Sequence, residues 1–299
     1  MAFDTLQHDA VLQDDHFTFD LPLPFTNLDP YDSAPGAPQG ELTPGPQGNI
    51  STQLDQQGGG ADRELAFELM VENHSFRSDA GTVEILSLSD SRSTQVHTIT
   101  LNGETVPVEY ASHQGFAFEG VAYDQQQRAL HVEMEFETGT SYQAETFDAQ
   151  GNPLLTSYGY EQMLGLTGQG VDFGIEDFTM EFEFTVEIEL NEHGFYTMIV
   201  SYGFDGEITT LDGQTRTYEH FSEDVFMFTD LDALELPELP QHLLDELARF
   251  AAGMGDAWDA LSSLDDQLQT VFDQLKQDGH YDAWDHAGGG LDNPFDQLL

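Results

Sequence analysis

The stretch Thr179–Leu190, TMEFEFTVEIEL, decides the fold class. Met180, Phe182, Phe184, Val186, Ile188 and Leu190 fall on one side of an extended chain, and Glu181, Glu183, Thr185, Glu187 and Glu189 on the other. Strict alternation over this length is the signature of a strand with one face on a core and one in water. His131–Glu137 repeats it, with Val132, Met134 and Phe136 against His131, Glu133, Glu135 and Glu137. The same period dominates from Arg63 to Thr229.

Short turn signals separate the runs. Asn102-Gly103 lies between Val96–Leu101 and Thr105–Tyr110, the strongest two-residue hairpin signal. Asp124–Arg128, Asp148–Pro153, Asp205-Gly206 and Asp212-Gly213 read as further turns. Strands joined this closely pair antiparallel, because a parallel pair needs a crossover of a dozen or more residues. The expectation is a mainly β protein, either a meander of antiparallel hairpins or a β-sandwich. The glycine-rich stretch Gly165–Gly174 reads as a loop after a short helix near 161–166, which leaves the β region either as two subdomains or as one sandwich split in sequence.

Outside this region the pattern changes. Residues 1–62 hold seven of the twelve prolines and no lysine or arginine, and read as a flexible, disordered acidic leader with extended linker around Pro35–Pro46. Within it Phe17, Phe19, Leu21, Leu23 and Phe25 alternate, as in a short strand or a docking peptide. Residues 230–299 read as a small α-helical appendage. Pro240 precedes a helix carrying Leu243, Leu244, Leu247 and Phe250, Asp256 is placed to cap a second, and Tyr281 and Trp284 share one side of a short third. On the second, Leu261, Leu264, Leu268, Val271 and Leu275 form a heptad seam of about two repeats. Such a seam packs on the rest of the chain or serves protein contact or self-association.

Charge restricts the partners. The chain has 56 Asp and Glu against 7 Lys and Arg, a net charge of −49, and its one lysine is Lys276. Nucleic acid and anionic membranes both need basic residues that this surface does not provide. In dilute buffer such a surface repels itself, whereas in about 1 M salt the Debye length falls to about 3 Å and the penalty largely vanishes. The composition therefore points to a high-salt-adapted organism. No run of 18 apolar residues suggests a membrane span, and the first fifteen residues lack the basic and apolar parts of a conventional signal. The expectation is a cytoplasmic chain, with export by a signal-independent route as the alternative.

Catalytic motifs are sparse. With no cysteine there is no thiolate nucleophile or zinc-thiolate site. No helix-borne zinc-protease motif, phosphate loop or nucleophile elbow occurs, and Phe173 replaces the third glycine of a dinucleotide fingerprint starting at Gly168. The acidic stripe Glu181, Glu183, Glu187 and Glu189 and the i, i+4 pair Asp282 and His286 are the candidate metal ligands. No cofactor is expected, though weakly bound cations fit the acidic stripes. The functional expectation is a non-enzymatic structural or protein-interaction protein. The alternatives are a hydrolase using paired Asp and Glu residues in a β cleft and a calcium-binding protein.

Overall fold

The computed structural model describes residues 11–13, 16–18, 23–25, 39–58, 61–147, 153–191, 193–229 and 239–287. Nine long strands form one antiparallel sheet. They are β3 (Gly40–Gly58), β4 (Asp62–Ser78), β5 (Thr82–Leu101), β6 (Glu104–Tyr123), β7 (Ala129–Gln143), β10 (Ser157–Gly170), β11 (Ile175–Leu190), β12 (Tyr196–Thr210) and β13 (Thr215–Phe228). Their spatial order follows their chain order, so the sheet is a meander and not a sandwich. Two small hairpins stand apart: β1 (Val11–Gln13) with β2 (His16–Thr18), and β8 (Thr146–Phe147) with β9 (Pro153–Leu154).

One face of the sheet is apolar and covered. Along β11, Phe178, Met180, Phe182, Phe184, Val186 and Ile188 are buried, while Glu181, Glu183, Glu187 and Glu189 are exposed, as the alternation requires. The helices lie on this inner face. Helix α1 (Gln241–Met254) sets Phe250 edge-on to Phe204 of β12 and Tyr218 of β13. Helix α2 (Asp256–Gln277) sets Phe272 edge-on to Phe116 of β6, with ring centres 5.0 Å apart. Six consecutive residues of α2, Gln267–Phe272, are buried. Six residues exceed one helical turn, so the helix is enclosed on every side there. The short α3 (Asp282–His286) brings Trp284, with the preceding Tyr281, against Phe67 of β4.

Several expectations are corrected. Gly40–Gly58, assigned to the leader, is the edge strand of the sheet. Its apolar contribution is thin, three half-buried side chains (Leu42, Ile50 and Leu54) packed on the core, which is why period and composition suggested linker. The stretch 161–166 is strand and not helix. Gly165–Gly170 continues β10, and a 3-10 turn at Val171–Phe173 leads directly into β11, so no subdomain boundary falls there.

Asp205-Gly206 is not a turn but the middle of β12. Gly206 faces inward beneath Phe250, and a Cβ there would lie 2.7 Å from that ring. Gly253 on α1 is its counterpart, since a Cβ would lie 2.5 Å from the Tyr218 hydroxyl. The two glycines let α1 approach the sheet closely. Asp256 does not cap α2 through its side chain; its carboxylate accepts a 2.8 Å bond from Arg128 instead.

Other expectations hold. Asn102 and Gly103 turn with φ of 54° and 91°, as a tight hairpin of this type needs. Asp212-Gly213 turns between β12 and β13, and Tyr281 and Trp284 are both buried beside α3. In the leader, Leu23 and Phe25 belong to the core, and Phe19 and Leu21 lie outside the described residues.

Candidate functional site

The outer face is a carboxylate lattice, and the strand registers fix its spacing. The two Glu stripes on β7 and β11 are not neighbours, because both strands pair with β10. Between them β10 presents Ser157, Gly159, Glu161, Met163, Gly165 and Thr167. Strands lie about 4.8 Å apart, so the stripes are separated by about 10 Å, a Debye length at ordinary ionic strength. Most Glu residues face neutral partners: Glu135 sits between Ala117 and Gly165, and Glu187 between Gly159 and Ile199. Two places break this rule. Glu119 lies directly opposite Glu133, and Glu181, Asp205 and Glu219 form a row across β11, β12 and β13. Direct like-charge pairs destabilise a sheet.

The candidate metal ligands do not gather. Glu181, Glu183, Glu187 and Glu189 follow one another along the exposed face of β11. Asp282 and His286 are exposed on α3, and His286 Nδ1 lies 2.5 Å from the backbone oxygen of Asp282 and not from its carboxylate. Among the described residues no group of three or more His, Asp and Glu side chains is placed to hold a metal ion.

The heptad seam is spent inside the chain. Leu261, Leu264, Leu268, Val271 and Leu275 are fully buried in the core. Packing on the rest of the chain, one of the two roles the seam allowed, is the one observed: all five side chains belong to the core.

One recess opens at an end of the sheet, with a volume of about 490 Å³. Its inner row runs Gly58, Arg63, Val96, Tyr110 and Tyr142 across five strands. Its rim carries Asp62 hydrogen-bonded to His97, and Glu64 accepting from Gln95 at 3.3 Å. The two tyrosine rings meet edge to face, 5.9 Å between centres.

Of the polar side chains that face inward elsewhere, two clusters hold ionisable groups beside hydroxyls. On β5, Asp90 is 1% exposed and receives Arg92 Nε at 3.2 Å and the Tyr281 hydroxyl at 2.8 Å. That cluster ties the region before α3 to the sheet. Sequence reasoning missed it because Tyr281 is 191 residues away. On β13, His220 Nε2 lies 3.2 Å from Ser222 Oγ, and Asp224 follows on the same face. A catalytic triad needs the acid on the far side of the histidine. Here the hydroxyl stands between histidine and acid along the strand, so the three do not form that relay.

Helix α2 also carries a perturbed acid. Burial pushes the Asp265 carboxyl up to about 7, against the lowering effect of the Phe25 backbone N–H that it accepts, and the neighbouring Asp266 adds to the rise. This bond fixes the Leu23–Phe25 segment over the helix.

The two edges of the sheet are treated differently. Along β3, the Gln274 side chain from α2 accepts from Leu42 N at 3.1 Å and donates to Gly40 O at 2.7 Å, standing in for a neighbouring strand. Beyond it, Pro44 and Pro46 and a register break between Pro44 and Asn49 interrupt the edge. Strand β13 has none of these. Its register with β12 runs unbroken from Phe228 to Thr215, and among the described strands it pairs with β12 alone. Its outward side chains include Phe221, Val225 and Met227, which are 72%, 58% and 76% exposed. Val225 lies opposite Ile199, which extends the patch onto β12. The sequence held this signal in Phe221–Phe228, where apolar residues occupy both faces, but alternation alone does not identify an edge strand.

No protein-family model, curated protein or solved structure matches this chain. No helix among the described residues is long and apolar enough to cross a membrane.

Proposed function

We propose that this chain is a non-enzymatic protein-interaction scaffold built for concentrated salt. The observation that carries the reading is the exposed apolar row Phe221, Val225 and Met227 on a strand that, among the described residues, pairs on one side only, within a surface otherwise rich in carboxylates. Proteins ordinarily blunt such edges with charge, proline, bulges or a covering element, because a bare edge recruits other chains. Here β3 is blunted by the Gln274 side chain, two prolines and a register break, whereas the described part of β13 has charge alone, chiefly at Glu219, Glu223 and the inward-facing Asp224. An exposed apolar patch of this kind marks a contact surface. The helices, by contrast, are committed to the inner face and serve as internal supports. The net charge of −49 supports the high-salt part of the proposal.

The test is site-specific photo-crosslinking in the source cell at its normal salinity, with a photoreactive residue at Val225 and, as control, at the exposed Gln53 of β3. A discrete protein adduct at Val225 and none at Gln53 is expected. Equal labelling at both positions, or none at Val225, would reject the scaffold reading.

A further inference from the structure

Resting on the scaffold reading, we infer that the β13 edge accepts an extended segment of another protein by strand addition, and that this segment alternates basic and apolar residues. Strand addition supplies main-chain hydrogen bonds for affinity, and alternate side chains supply specificity. The outer face of β13 reads Glu219, Phe221, Glu223, Val225, Met227. An added strand would place one face of its own side chains beside these five. Carboxylates at Glu219 and Glu223 call for lysine or arginine beside them, and the three large apolar groups call for aliphatic or aromatic neighbours.

The surroundings reinforce that choice. Glu219 lies next to Asp205, itself opposite Glu181, so a basic residue beside Glu219 meets the end of a three-carboxylate row. On the inner face Asp224 adds a further negative charge. Strand β13 carries one cation, Arg216, near its start. A second copy of this chain would bring its own Glu219, Glu223 and Asp224 against the same groups, and like charges in direct contact across a strand pair destabilise it even where longer-range repulsion is screened. Charge complementarity thus favours a basic partner segment over self-pairing.

Salt separates the two occupants. Binding of a basic segment weakens as salt rises, whereas self-pairing through the apolar row strengthens as repulsion is screened. The probe is a nine-residue synthetic peptide whose alternate residues read Lys, Val, Lys, Val, Val with threonines between, made in both chain directions. It is titrated into the full-length protein in about 0.3 M and about 2 M sodium chloride. Amide hydrogen exchange locates the site, and sedimentation monitors self-association.

Slowed exchange confined to 215–228 and affinity about tenfold weaker at the higher salt are expected. A peptide with glutamate in place of lysine should not bind. Phe221→Lys with Met227→Lys, which alters only exposed side chains, should abolish binding and leave the melting temperature in about 2 M sodium chloride unchanged. The proposal is overturned by protection elsewhere than β13, by equal binding of the glutamate peptide, by no binding of either direction, or by dimers that grow with salt and need Phe221. A crosslink at Val225 with no peptide binding would reject the basic segment alone and leave the scaffold reading standing.

Discussion

The two faces of the sheet solve opposite electrostatic problems with the same strands. The inner face is mostly apolar, and where it buries charge, at Asp90 and Arg92, it supplies an ion pair and the Tyr281 hydroxyl. The outer face carries rows of carboxylates with almost no cations among them, and reduces repulsion by spacing. Glycine, serine, threonine and alanine stand opposite most Glu residues, and β10 holds the two main stripes apart. The inner face is stable through partners within the chain. On the proposed reading, the outer face depends on ions from the solvent. Substitutions on the inner face should therefore cost stability at any salt concentration, and those on the outer face should matter only when salt is low.

The largest effect is expected at the buried ion pair. Asp90→Ala leaves the Arg92 guanidinium buried without its carboxylate, a defect of about 3–5 kcal/mol in chemical denaturation. The loss should be the same in dilute and concentrated salt. A salt-dependent loss would mean the pair is solvated. Next is the seam of α2. Leu268→Ala opens a cavity in the enclosed part of the helix and should cost about 2–5 kcal/mol. A cost near zero with a change in oligomeric state would instead return the seam to a partner.

The pH dependence gives a third contrast. Burial holds the Asp265 carboxyl at about 7, above its unfolded value near 4. The folded chain then binds that proton more tightly than the unfolded chain. Its contribution to stability is present at low pH and is lost as pH rises from about 4 to about 7, after which it is flat. Asp265→Asn should remove this slope, measured by denaturation across the range. A slope that persists unchanged would assign it to other groups. The smallest effect belongs to the outer face. Asp205→Asn interrupts the row from Glu181 to Glu219 and should stabilise the fold by a few tenths of a kcal/mol in dilute buffer, with no gain in concentrated salt.

The sequence made the outer and inner faces legible wherever alternation was strict. The Glu and apolar sets of β7 and β11 occupy the faces their period assigns, and the α2 seam is buried as an apolar stripe must be. Where local chemistry and tertiary demand differ, period misleads. Gly40–Gly58 lacks apolar alternation, with only Leu42, Ile50 and Leu54 packed on the core, and the Gln274 side chain that hydrogen-bonds its first residues comes from far along the chain. Asp205-Gly206 carries turn chemistry, yet its glycine exists to admit Phe250. The order of the strands, and with it the identity of the bare edge, is a property of the whole sheet. For that reason the β13 surface is visible only in the fold, though each of its residues is plain in the sequence.

Thermal unfolding of the full chain as a function of sodium chloride tests the central contrast most directly. The carboxylate lattice predicts a melting temperature that climbs steeply up to about 1 M salt and then levels as the Debye length falls below the distance between neighbouring side chains. A melting temperature that is the same in nearly ion-free buffer as in concentrated salt would contradict it, and would mean that the outer face holds itself together without the solvent's ions.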